Sequence, residues 1–288
     1  MNGISVSYRR VSRSVYSTDM ENRRLKCILV AIFGLVLASC IGKEQISNDK
    51  PNQSVESITV SAAVSLKDAF TEIGELYKAK TGRTVDFNFG ASGALQQQIE
   101  SGAPVDVFAS AGEKQMTALA EKNLLTAGSR KDFARNSLVL IVPKTSEVRI
   151  VSFSDLADPA LKKIAVGNPK TVPAGQYAAE VLEKGGLQEK LHDKLIFAEN
   201  VRQVMDYVVR GEVDAGIVYS TDARQAGSEV NVAATADEAS HSPILYPIAV
   251  IAGAKHPDAA QEFIDLVMSS EGQAILQKYG FISPGKSQ

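Results

Sequence analysis

From Ile58 onward the chain switches repeatedly between two hydrophobic rhythms. Ile58 to Ala63 is an apolar run of strand length, after which Leu66, Ala69, Phe70, Ile73, Leu76 and Tyr77 recur at three- and four-residue steps until Gly82. The first pattern predicts a strand and the second an amphipathic helix, with Lys78 and Lys80 in its last turn and Ser65 as its N-cap. The pair then repeats. Val85, Phe87 and Phe89 alternate along a second strand, and Gly90-Ala91-Ser92-Gly93 opens a helix that runs through Ile99 to a stop at Gly102. Val105 to Ser110 reads as a short third strand that carries Asp106, best placed as a turn or cap partner, and a helix through Lys122 follows.

Ser137 to Val142 is a continuous apolar run closed by Pro143, the pattern of a buried or crossing strand. Strand and helix signals resume at Lys163–Gly167, Leu195–Phe197 and Asp214–Tyr219, each leading into a helix start: Pro173-Ala174-Gly175, Asn200-Val201 and Ser220-Thr221. Ile244 to Ile251 is a last long strand, and helices over 257–268 and 270–279 end the pattern. Strands alternating with helices at this density predict an α/β protein with mainly parallel sheets flanked by helices. Two such runs joined by two long apolar strands predict two lobes with two crossings. Lobe 1 is assigned 57–138 and 248–288, lobe 2 is assigned 139–247, and the C-terminal helices return to lobe 1.

Composition changes the picture little within this region and more ahead of it. The 288 residues are 44% hydrophobic and 22% charged with a net charge of −2, which gives no basic stripe for nucleic acid. Arg23, Arg24 and Lys26 precede an apolar run from Cys27 to Ala38, and Leu37-Ala38-Ser39-Cys40 closes it. A basic flank, a short apolar stretch and small residues before a cysteine predict a secretory signal, and the closing tetrad resembles the bacterial lipobox. Residues 1–40 are therefore expected to be an extension plus a lipoprotein signal cleaved before Cys40, with Met20 a candidate start and Cys40 the site of lipidation. Residues 41–56 are polar and without pattern, and are expected to be a flexible tether. No cysteine follows Cys40, so neither a disulfide nor a thiolate metal site is available beyond it. His192, His241 and His256 are scattered without metal-ligand spacing.

The candidate chemistry lies at helix starts. Ser65, Ser92, Ala174-Gly175 and Val201 each follow a strand and each bring small or neutral residues to a first turn, where free N–H groups and the helix dipole favour an anion. An ordinary capped helix has the same local sequence. What sets these four apart is that ligands of open parallel sheets bind at the carboxyl ends of strands, so two facing lobes would aim them into one cleft. Tyr219 adds a hydroxyl. A ring of neutral donors suits a fully ionised oxyanion and offers no acceptor to a protonated one. An enzyme would need a nucleophile beside a base or converging carboxylates, and no spacing proposes them.

These residues also sit in a recognisable set of motifs: Ala63-Val64-Ser65-Leu66, Phe89-Gly90-Ala91-Ser92-Gly93, Gly102-Ala103-Pro104-Val105-Asp106, Asn136-Ser137-Leu138-Val139, Val172-Pro173-Ala174-Gly175-Gln176-Tyr177, Glu199-Asn200-Val201-Arg202 and Gly216-Ile217-Val218-Tyr219-Ser220-Thr221-Asp222. Together they resemble the periplasmic molybdate-binding proteins of bacterial molybdate ABC transporters, over about residues 57 to 283. The resemblance implies a two-lobed type II periplasmic-binding fold, no catalysis and no cofactor, with molybdate or tungstate as ligand in the cleft. It places ligand contacts on the hydroxyls and amides of Ser65 and Ser92, the amides of Ala174 and Val201, and the Tyr219 phenol. It further implies an extracytoplasmic monomer that serves an ABC permease and its ATPase, and the lipobox adds a lipid anchor on Cys40. Gly90 and Gly93 stand where the family often carries Ala or Ser, and Asn200 where an acid is common. Another tetrahedral oxyanion, sulfate or thiosulfate, is the alternative ligand; Asp222 and Glu199 are the nearby acids of interest for a carboxylate-assisted tungstate site. The lone Tyr219 argues against the paired tyrosines of iron-binding relatives.

Overall fold

A computed structural model describes residues 57–285. The expected signal, the lipidation of Cys40 and the tether, all within 1–56, lie outside the described residues. The first half contains β1 (Ser57–Ala63), α1 (Lys67–Thr81), β2 (Thr84–Gly90), α2 (Ser92–Glu100), β3 (Val107–Ala109), α3 (Glu113–Glu121), β4 (Lys131–Arg135) and β5 (Leu138–Pro143). Then come β6 (Ile164–Gly167), α4 (Pro173–Lys184), α5 (Gln188–Leu191), β7 (Leu195–Ala198), α6 (Val201–Val209), β8 (Ala215–Tyr219), α7 (Ser220–Ala226), β9 (Val230–Thr235), β10 (Leu245–Val250), α8 (Pro257–Met268) and α9 (Ser270–Lys278).

The strands form two five-stranded sheets, ordered β2-β1-β3-β10-β4 and β7-β6-β8-β5-β9. In the first, β1 runs parallel to β2 and β3, while β10 is antiparallel to β3 and β4. The second repeats the plan, with β6 parallel to β7 and β8 and with β5 antiparallel to β8 and β9. The sheets are thus mixed: in each, four strands point one way and one opposes them. The opposing strand is the one that arrives from the other lobe. Only Asn136 and Ser137 separate β4 from β5, too short a link to reach the far end of the second sheet. Leu138 therefore enters beside Tyr219, at the carboxyl end of β8, and β5 must run back against it. Leu245 enters beside Arg135 in the same way.

These entries shift the expected lobe boundaries. Leu138 already pairs in the second sheet, and Leu245, Tyr246 and Pro247 pair with β4 in the first, so the return crossing is complete before Leu245 rather than at 247. A strand buried on both faces reads the same in either lobe, which is why the apolar pattern could not say where it docked. The pattern also missed β4 and β9. Both are edge strands, one carrying Lys131, Asp132 and Arg135 and the other largely exposed, as edges commonly are.

α8 and α9 return to the first lobe and pack on α1. Phe70 meets Phe263 at a centroid distance of 5.9 Å, Tyr77 donates to the Ala259 carbonyl at 3.0 Å, and Lys278 pairs with Glu72. Buried Asp106 has the structural role its position suggested. Its two oxygens accept from the Thr59 and His256 amides at 2.8 and 3.0 Å, which ties the edge of β1 to the start of α8.

Candidate oxyanion site

The parallel strands of both sheets end toward each other, and the turns that leave them surround one small cavity. Residues 63–65 at the end of β1, 90–92 at the end of β2, Ala111 after β3, 172–174 at the start of α4, Val201 at the start of α6 and Tyr219 at the end of β8 line it. Ser65, Ser92, Ala174, Val201 and Tyr219 are all here, each no more than 4% exposed. No Asp, Glu, Lys, Arg or His is in the lining. The room left inside is about 10 Å³, far below the roughly 300–1,000 Å³ of sites for drug-sized organic ligands, so only a small ligand can be held there.

The local geometry differs from simple capping. Ser65 lies inside a short 3₁₀ turn, Val64–Leu66, whose N-cap is Ala63, and α1 begins only at Lys67. Ser92 is the first residue of α2, behind Ala91 as N-cap. Neither hydroxyl makes a capping bond, which corrects the reading of Ser65 as an N-cap and leaves both side chains for other work. The amides of Ser65, Ser92, Ala174 and Val201 bond to no other described residue, as first-turn groups do until a ligand arrives. Asn200 caps α6 by accepting from the Gln203 amide at 3.0 Å, so its side chain is engaged away from the cavity.

Ala111 joins two of the candidate side chains. Its amide donates to Ser92 Oγ at 3.0 Å, and its carbonyl accepts from the Tyr219 phenol at 2.9 Å. Ser92 thereby has its own proton to spare. Tyr219 does not: its single proton goes to Ala111, and for it to serve an anion that bond must be exchanged. Burial holds the Tyr219 phenol well above its usual titration range, so the proton is present at any physiological pH.

The Ala111–Tyr219 bond also spans the lobes, and several others do the same. The Gly93 amide donates to the Thr171 carbonyl at 2.8 Å, Gln115 to Gln176 at 3.3 Å, and Arg202 of α6 to Asp68 of α1 at 2.6 Å. Gly93 is required at its contact. A Cβ there would sit 2.6 Å from the Thr171 carbonyl oxygen and 2.7 Å from its Cα.

Arg202, next to Val201, brings a positive charge near the site and has it neutralised there. Its guanidinium bonds Asp222 as well as Asp68, both at 2.6 Å, and Asp222 is wholly buried with Oδ2 unpartnered. Burial pushes the Asp222 carboxyl up to about 6, against the pull of Arg202. Burial also works against the Arg202 charge, but Asp222 and Asp68 outweigh it and hold the guanidinium above its ordinary value. Neither Asp222 nor the exposed Glu199 lines the cavity, which removes both from a carboxylate-assisted site. The motifs marked Ser65, Ser92, Ala174, Val201 and Tyr219, which are five of the residues in the lining. They gave no sign of the roles of Ala111, Thr171, Arg202 or Tyr246, whose partners lie far away in sequence.

Two facing α/β lobes with a small cavity between strand ends define a solute-binding protein, and residues 58–282 match the family model described as bacterial extracellular solute-binding protein. The chain belongs to that family, one of binding proteins rather than enzymes. It is 38% identical over 260 residues to YvgL of Bacillus subtilis, named as an ABC transporter substrate-binding lipoprotein, with 90% of this chain and 98% of that one covered. It is also 38% identical over 231 residues to the molybdate-binding protein ModA of Haemophilus influenzae, covering 78% of this chain and 89% of that protein. A solved Clostridium difficile structure, described as the substrate-binding domain of a molybdenum ABC transporter, superposes with a TM-score of 0.62. It is 44% identical and covers 79% of this chain and 98% of its own.

Gly93→Ala is expected to obstruct closure and weaken anion binding by more than about tenfold. The unfolding midpoint of the unliganded protein should stay within a few degrees of the parent, because the clash arises only between lobes. Arg202→Met leaves Asp222 without its counter-charge, and removing one partner of a buried pair costs about 3–5 kcal/mol. The sign follows from Asp222, whose raised folded pKa makes its contribution to stability full below its unfolded value and lost as pH rises through about 6. Urea unfolding should therefore find the Arg202→Met penalty largest at pH 8 and smaller near pH 5; equal penalties at both would contradict this account.

Proposed function

We propose that this chain captures molybdate or tungstate outside the cytoplasm and delivers it to an ABC permease driven by its ATPase. The observation that carries the reading is the neutral cavity itself: small, buried, ringed by unengaged amides and serine hydroxyls, and free of charged side chains in its lining. The relatives named for molybdate and for a molybdenum transporter point the same way. Ser65 and Ser92 each offer a hydroxyl and an amide, Ala174 and Val201 each an amide, and Tyr219 its phenol once released from Ala111.

About seven charge-assisted donors at roughly 1.5–3 kcal/mol each, opposed by translational entropy and lobe closure, are consistent with binding between about −8 and −12 kcal/mol. Selection is by size and by protonation state. A smaller tetrahedral dianion such as sulfate leaves some donors unpaired, and buried unpaired donors are costly. A protonated oxyanion would aim a hydrogen at groups that only donate. The metal enters as cargo inside its oxyanion, with no cofactor role. Lipid on Cys40 would hold the monomer at the membrane, in keeping with the lipoprotein name of the Bacillus relative. Among the described residues no helix is long and apolar enough to cross a membrane.

Calorimetric titration with molybdate, tungstate, sulfate and phosphate at pH 7 tests the reading. Tight one-to-one heat is expected with the first two alone. Sulfate binding without molybdate would transfer the site to the alternative oxyanion, and no heat with any of the four would end the oxyanion reading. Ser65→Ala and Ser92→Ala are each expected to weaken molybdate by more than about tenfold. Parent-like affinity in both would refute the assignment of these hydroxyls.

A further inference from the structure

Behind Ser65, on the side away from the cavity, lies a buried chain of polar groups whose directions can be read from one end to the other. It starts at Asn136, in the two-residue crossing between β4 and β5. The Ser137 backbone N–H, which can only donate, lies 2.9 Å from Asn136 Oδ1, and the Ser220 hydroxyl donates to the same oxygen at 2.9 Å. Those contacts fix which way the amide faces. Its NH₂ group must then point at Thr221 Oγ1, 2.9 Å away, and at the Tyr246 phenol oxygen, 3.2 Å away.

Tyr246 has no exposure, and its oxygen lies 3.2 Å from Ser65 Oγ. Geometry alone permits either of these hydroxyls to donate. The rest of the chain decides. Because Asn136 Nδ2 donates to the phenol oxygen, the phenol proton is directed at Ser65 Oγ, which lies within hydrogen-bond distance at 3.2 Å, with the Tyr219 phenol oxygen its other neighbour; if Ser65 donated instead, two donors would crowd the phenol oxygen and its proton would be left to Tyr219 alone. Burial also raises the Tyr246 titration range well above its ordinary value, so the proton stays in place. Ser65 Oγ is left as an acceptor toward Tyr246, with its own proton free to turn into the cavity.

We infer that Tyr246 is a positioning residue of the anion site, which by donating to Ser65 Oγ makes the serine a donor toward bound oxyanion. The sequence of donors runs from the Ser137 amide through Asn136 and Tyr246 to Ser65 and then to the ligand. Ser92 reaches the same state by a shorter route, because the Ala111 amide occupies its oxygen. Both hydroxyls are polarised from behind, and selection against protonated oxyanions follows from that polarity as well as from cavity size. Since Asn136 and Ser137 are themselves a crossing between lobes, the polarity of Ser65 is tied to a segment that joins them. Tyr246 also packs edge-on against Tyr219, with centroids 5.6 Å apart, but is not part of the cavity wall.

This inference rests on the oxyanion reading, and a double-mutant cycle separates the two. The parent, Tyr246→Phe, Ser65→Ala and the double variant are titrated with molybdate, and in parallel with sulfate. Tyr246→Phe keeps the ring and its packing, and is expected to weaken binding about fivefold to tenfold, the worth of one hydrogen bond. In the Ser65→Ala background it is expected to change affinity by less than about twofold, because its effect is exerted through the serine. An equal loss in both backgrounds, or no loss in the parent background, overturns the inference while leaving the oxyanion reading intact. A parent that binds neither anion overturns both.

Should Tyr246→Phe fail to fold, Asn136→Asp gives the same decision. A carboxylate only accepts, so it would draw the Tyr246 proton to itself and turn Ser65 toward Tyr246, leaving a lone pair facing the anion. Here a loss of more than about tenfold is expected with Ser65 present, and a clearly smaller one in the Ser65→Ala background, where only the added charge acts. The same loss with and without Ser65 would overturn the inference.

Discussion

A buried dianion must be met by donors on every side, and the cavity between the strand ends, which carries no charged residue in its lining, is the place where the proposed function needs them. Backbone N–H groups left over at the start of helices and turns are the one supply of donors that carries no mobile side chain and no full charge. They become available where a strand ends and a helix begins. Collecting enough of them around one small space requires two sheets whose carboxyl ends face each other. The rest of the architecture follows: two lobes, two crossings, and in each sheet one strand forced to run against the others because it enters from the cleft side.

Keeping charge out of the lining takes its own device. Arg202 follows directly on Val201, and an unpaired guanidinium there would attract any anion, large or small. Asp222 and Asp68 engage it instead. Asp222 is buried more deeply than its single ion pair compensates, which is why its carboxyl titrates high, and Asp68 belongs to the opposite lobe. One side chain thus removes a non-selective charge and bridges the cleft. This is a different use of an ion pair from a surface salt bridge, whose worth is close to nothing.

Closure relies on close approach as much as on hydrogen bonds. Gly93 meets Thr171 where no Cβ fits, and Ala111 uses both of its backbone groups, one on Ser92 and one on Tyr219. The second of these contacts places the Tyr219 phenol in competition between the protein and a ligand. Exchange of that bond for one to an anion would let binding and the lobe contact trade against each other at a single proton.

The sequence by itself determined most of the elements and pointed to five residues that the fold brings together. Periodicity located nearly every buried strand and helix, and the small residues after the strands named Ser65, Ser92, Ala174, Val201 and Tyr219, because both signals are local and recur within a few residues. It missed the edge strands β4 and β9, whose polar, exposed patterns do not differ from those of loops, and it misread Ser65 as a cap, since a 3₁₀ turn and a helix start share a sequence. Only the tertiary structure decided which sheet Leu138 and Leu245 join, that Gly93 must remain glycine, and that Arg202 is neutralised. It alone placed Tyr246 behind Ser65, 181 residues away in the chain. Hydrogen-bond direction, steric clearance and charge compensation depend on partners brought together by the crossings, and no rhythm along the chain records them.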